Sequence, residues 1–171
     1  LSEEERREVA RYVAIYARQV LPIFEVSYPQ DSRPRDAILG AEAFANGSRR
    51  TAALRTLALA AFAAAREVEA GPAAQAAYAA TYAASAAYLH PIAVATQIKH
   101  ILGAAVHQAI ATELLAPDDT EAATRQLQWA ANLASPTVRE VLKRYPQMPR
   151  GRTRFSTLLY ELDTELRNRQ F

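Results

Sequence analysis

At 171 residues the chain is long enough for one domain that buries roughly 70% of its unfolded surface without a metal or disulfide staple. It contains no cysteine, which excludes disulfides, thiolate catalysis, iron–sulfur clusters and cysteine-based zinc sites. Twenty basic and eighteen acidic residues leave a net charge of +2, too small for a whole-molecule field that would draw in nucleic acid.

Taken in order, the chain reads as helices separated by polar or Pro/Gly punctuation, with no strand. Ser2 and Glu5 have capping-box spacing, and Val9, Tyr12, Val13, Tyr16 and Val20 follow on one helical face. Pro22 is expected to kink or end this first helix. Asp31 or Ser32 can cap a second helix over residues 33–46, Pro34 presets its first turn, and Gly47 suits its left-handed end. A third helix is predicted over 49–70, where Gly71 and Pro72 stop it. Leu54, Leu57, Ala61, Ala64 and Val68 make its inner stripe, which Leu59 and Phe62 widen enough to suggest a central position.

The fourth helix is predicted over 72–89. Ten of the fifteen residues 73–87 are alanine, so propensity is high but apolar area per turn is small, and neighbouring backbones must come close. His90 and Pro91 break the pattern before a fifth helix over 92–115, with His90 as its candidate cap. Pro117, Asp118 and Asp119 mark a linker to a sixth helix that ends near Leu133. Ser135 and Pro136 open a seventh that ends near Arg144, and the last runs over 155–169 with Leu158, Leu159, Leu162 and Leu166 on its apolar side. The expected architecture is an all-α, compact single-domain bundle of about six to eight helices. Its third, fourth and fifth helices are central, residues 1–115 form the core, and residues 116–171 form a C-terminal helical part with a basic strip.

The residues that carry chemistry are few. His100 and His107 are seven apart, about 10.5 Å along a helix axis, so they cannot share one ion, and no carboxylate lies between His90 and His100. No metal or other cofactor is expected, and His100 and His107 read as satisfied polar members of a helix interface. The chain lacks a Gly-x-Ser-x-Gly elbow, and its five glycines form no phosphate-cradling loop. Asp118 and Asp119 read as a solvated linker, and Glu3, Glu4 and Glu5 as a helix start. No catalytic residue is assigned and no enzymatic activity is expected.

A family resemblance adds what the chemistry does not supply. The order Pro29, Asp31, Arg33, Pro34, Asp36, Ala37, Ile38, Phe44, Gly47 is followed by the Gly71–Pro72 boundary and an alanine-rich helix leading to His90, then by His100, Gly103 and Ala105. This series resembles the immunity proteins of the Imm-5-like family of bacterial polymorphic toxin systems over residues 17–113, with Phe44 where tryptophan is more usual. The resemblance implies a protein toxin as partner, neutralised by stoichiometric binding; the cytoplasm is the expected compartment from the absence of cysteine and of an export pattern. The matched residues Asp31, Arg33, Pro34, Asp36, Phe44, Gly47, His90, His100 and Gly103 are then structural or binding positions. Asp31, Arg33 and Asp36 read as an ion-pair and capping network with His90 or His100 packed against it.

Lys143, Arg144, Arg150, Arg152 and Arg154 lie within twelve residues that contain no acid, and form a candidate rim for an acidic partner. The alternative, a nucleic-acid-associated protein using that strip, is disfavoured because only Tyr145 and Phe155 could stack on bases. A small-molecule-binding helical domain is a further alternative. No membrane span is expected, since the longest uncharged stretches are short or built from alanine and tyrosine. The amino-terminal residues lack the pattern of a signal peptide. Oligomeric state and toxin identity stay open.

Overall fold

The computed structural model describes residues 1–169, which form eight α-helices, two short 3-10 turns and no strand. Helix α1 spans Glu3–Ser27, α2 Arg33–Ala45, α3 Ala52–Glu67 and α4 Pro72–Ser85. Helix α5 spans Ile98–Leu115, α6 Ala122–Leu133, α7 Pro136–Lys143 and α8 Arg154–Asn168. The result is the expected all-α single-domain bundle.

The capping box at α1 is present as read: the Glu5 amide donates to Ser2 Oγ at 3.0 Å, and the Ser2 amide donates to Glu5 Oε2 at 2.6 Å. Pro22 does not end this helix, which continues through it to Ser27. The proline sits on the solvent side, so the carbonyl it leaves without a partner can be hydrated. Leu21 and Phe24 meanwhile stay packed in the core and carry the helix past it.

The centre of the bundle is α1, α4 and α5, not α3, α4 and α5. Helix α4 packs against α1, α2, α3 and α5, while α5 packs against α1, α4, α6, α7 and α8. The alanines of α4 make this possible. Ala76, Ala77, Ala79, Ala80, Ala83 and Ala84 are all fully buried, pointing in several directions around the helix, and a small side chain lets each neighbour approach. Helix α5 is buried almost all round, from Ile101 to Ala111.

Helix α3 is peripheral, packed chiefly on α2 and α4. Leu54, Ala58, Ala61 and Ala64 face inward, but Leu59 is 64% exposed and Phe62 40%. The wide apolar stripe that suggested a central helix therefore has no protein covering its outer edge.

The fourth helix stops as an α-helix at Ser85 and tightens into a 3-10 turn, Ala86–Tyr88. The fifth begins at Ile98 rather than Ile92, because Val94 is extended and Ala95–Gln97 forms a second 3-10 turn. His90 therefore does not cap α5. It organises the loop before it: its amide donates to Gln97 Oε1 at 2.8 Å, its Nδ1 accepts from the Ile92 amide at 3.1 Å, and its carbonyl accepts from Tyr145 Oη at 2.6 Å. On the opposite side, Tyr12 and Tyr16 of α1 both donate to the Ala130 carbonyl of α6, and Tyr16 meets Trp129 edge-on at 5.2 Å.

Candidate functional site

The motif around Asp31 is a local brace between α1, α2 and α3. Asp31 Oδ1 accepts from the Arg33 amide at 3.1 Å, and its carboxylate takes the Arg33 guanidinium by Nε at 2.9 Å and by a terminal nitrogen at 2.7 Å. That same nitrogen donates to Glu67 at the end of α3, also at 2.7 Å. The guanidinium holds the Asp31 carboxyl below its ordinary range. Asp36 is outside this pair; it accepts from Ser32 Oγ at 2.8 Å. Ser32 makes no side-chain cap.

Pro34 is buried in the first turn of α2. Phe44 is buried beneath the Arg7 guanidinium, which lies 5.5 Å from its ring centre. Gly47 has φ of +110°, and the Ser48 amide to Ala43 carbonyl and Gly47 amide to Phe44 carbonyl bonds make a Schellman end to α2. The expected packing of His90 or His100 on this brace does not occur. His90 is in the loop before α5, and His100 bonds to Ser85 at the far end of α4.

His100, Gly103 and His107 do come together, along one face of α5. Spacings of three, four and seven residues place them on one line, and the missing side chain at Gly103 leaves a gap between the two imidazoles. The Tyr82 ring of α4 fills it. A Cβ at position 103 would lie 2.7 Å from that ring, so only glycine allows the approach. Tyr82 then stacks on His107 at 5.6 Å and 20°, and on Phe155 of α8 at 6.2 Å and 13°. Tyr78 also stacks on His107, at 5.2 Å and 23°.

These rings form one wall of a half-open cleft of about 660 Å³ between α3, α4, α5 and the start of α8. Leu59 and Phe62 line its α3 side, where the Phe62 ring meets Tyr78 edge-on at 5.8 Å, and Arg55, Tyr88 and Lys99 complete the lining. His107 Nδ1 is 2.6 Å from the Gln75 side-chain oxygen, which can only accept, so this nitrogen carries the proton. Burial pushes the ring's pKa down to about 3. His100 is also shifted down, by burial and then by Lys99, and its Nδ1 lies 2.9 Å from Ser85 Oγ. Ser85 gives its own proton to the Tyr82 carbonyl at 3.2 Å, so it accepts from His100 Nδ1–H. In that arrangement the histidine presents a proton to the serine rather than a lone pair.

Tyr78, Tyr82, Phe62, His107 and Phe155 were missed as site residues by sequence reasoning, which placed them in the core or left them unassigned. The spacing of His100, Gly103 and His107 was the available signal: two imidazoles flanking a glycine on one face point to an inserted ring.

The basic strip is divided among internal partners. Arg144 bonds Glu5 at 2.6 Å, Arg154 grips Glu113 through two nitrogens at 3.0 and 2.5 Å, and Arg150 lies 3.7 Å from Glu161. Lys143 and Arg152 are exposed. Among the described residues no three His, Cys, Asp or Glu side chains gather as a metal site, and no helix is long and apolar enough to cross a membrane.

An all-α bundle with a ring-lined cleft and a braced motif turn defines the class of protein by architecture. Residues 1–136 match the family model described as Imm-5 like putative immunity protein, and the chain belongs to that family. The match runs from α1 through α6 and so exceeds the span 17–113 read from the motif alone. No curated protein and no solved structure matches the chain.

Proposed function

We propose that this protein neutralises a bacterial toxin in the cytoplasm by stoichiometric masking, with no turnover of its own. The family membership over residues 1–136 carries this reading. A masking complex of ordinary size buries about 1,200 to 2,000 Å² in total, and its rim charges set association rate more than final affinity.

The helices after residue 115 supply the rim in this reading, through Lys143, Arg144, Arg150, Arg152 and Arg154 facing an acidic toxin surface. Arg144 and Arg154 also serve internal ion pairs, so Arg150 and Arg152 are the positions to alter. Co-expression with a candidate toxin, sought among the products of genes neighbouring this one, tests the function. Protected cells and a co-eluting complex are expected; equal killing with and without this protein, and no complex at any salt concentration, would overturn it.

A further inference from the structure

The cleft between α3, α4 and α5 leaves part of its apolar lining uncovered by the protein. Leu59 and Phe62 form an apolar lip left in solvent, beside the inward face of α3 made by Leu54, Ala58, Ala61 and Ala64. Facing them are ring planes that lie within 23° of parallel where Tyr78, Tyr82 and Phe155 meet His107 or one another, except for the His107–Phe155 pair at 32°. These rings are stacked on one another, so the wall they make is rigid and apolar, and its ring edges and the Phe62 lip are what a guest would meet.

The charges at the site have one sign. Arg55 and Lys99 line the mouth, and no acidic side chain lines the cleft. The Arg55 guanidinium lies over the Tyr88 ring, 4.7 Å from its centre, which keeps its charge beside the cleft. The histidines add no positive charge, since both are shifted toward the neutral form by burial. A volume of about 660 Å³ is in the range of small-molecule pockets rather than of an extended peptide groove.

We propose that this cleft is a binding site for a small aromatic carboxylate, its ring packed beside Leu59, Phe62 and Tyr82 and its carboxylate at Arg55 and Lys99. The apolar body and the single anionic end both follow from the lining. This site is independent of toxin masking, and its test needs no toxin.

Calorimetric titration of the full chain with 2-naphthoate and with the neutral 2-naphthylmethanol is the experiment. One site is expected, with the acid bound at least about tenfold more tightly than the alcohol at low salt. Arg55→Gln combined with Lys99→Gln should abolish that preference while leaving the alcohol's affinity unchanged. Leu59→Asp and Phe62→Ala, at exposed positions, should weaken the acid by about tenfold with the helical circular dichroism intact. Absence of binding at millimolar ligand, equal affinity for acid and alcohol, or affinity indifferent to these substitutions would overturn the site. Tighter binding of N-acetyl-Trp-Glu amide than of naphthoate would also overturn it, in favour of a protein segment as the occupant.

Discussion

Gly103 shows how one absent side chain organises a site. Gly103→Ala would put a methyl group 2.7 Å from the Tyr82 ring, which is packed among His107 and Phe155 and has little room to retreat. We expect a loss of about 1 to 3 kcal/mol in thermal or denaturant unfolding, accompanied by a shift of the His107 ring resonances as the stack is disturbed. His107 itself carries a pH prediction. Its pKa of about 3 in the fold lies below the ordinary value of 6.5, so between those limits the unfolded chain takes up a proton that the folded chain refuses. Its contribution to stability is therefore complete above about pH 6.5 and declines as pH falls toward 3. Ring chemical shifts should show no titration of His107 near neutrality; a midpoint close to 6.5 would contradict the buried, neutral assignment. Asp31 is partly exposed, so its removal costs less than that of a fully buried ion. Asp31→Ala should lower stability by about 0.5 to 2 kcal/mol through the lost turn and the freed Arg33, and a larger loss in calorimetry would mean the brace extends further than its hydrogen bonds.

At the level of elements, α4 is the part least able to change. Ala80 is fully buried on a helix that touches four others, and Ala80→Leu is expected to cost about 1 to 3 kcal/mol or to displace a neighbour. The same change at Ala53, exposed near the start of α3, should stay within about 0.5 kcal/mol, which makes the pair a measure of packing rather than of helix propensity. The contrast between α3 and α4 was hidden in composition. The larger residues of α3 promised a central helix, which it is not, while the alanines of α4 were read as calling for close neighbours, which they have, since a helix surrounded on several sides needs small side chains more than large ones. Leu59 and Phe62 were legible as apolar; their exposure was not, because periodicity describes which residues share a face and not whether anything covers it.

Across the whole molecule, distant segments are tied together near the start of α1. Glu5 receives Arg144 from the end of α7, Arg6 donates to the Leu89 carbonyl at 3.2 Å, and Tyr145 reaches His90. The Arg144 hydrogen bond, helped by the Ser2 amide, brings the Glu5 pKa down to about 2. A depressed carboxylate stabilises the fold above its unfolded value near 4.5 and loses that contribution as pH falls through about 2. Acid titrations of wild type and Glu5→Gln should therefore differ most above pH 4.5 and converge in strong acid; curves that stay parallel would remove Glu5 from the account. Under the masking proposal, Arg150→Gln with Arg152→Gln should slow toxin association and reduce its salt dependence while leaving dissociation little changed, as stopped-flow mixing would show.

The chain's own order of residues was enough for the helical class, for the Ser2–Glu5 start and for the end of α2 at Gly47, because caps and left-handed glycines act on neighbours within a few positions. Family membership was legible for the same reason, in the local spacing from Asp31 to Gly47. Tertiary structure alone decided which helices are central, that α1 survives Pro22, and that His90 serves a loop while His100 and His107 share a cleft with Phe155. Each of these depends on what approaches from a remote part of the chain: a ring over Gly103, a guanidinium on Glu5, or nothing at all over Leu59. Such approaches are set by the packing of the whole bundle, where burial outweighs local preference.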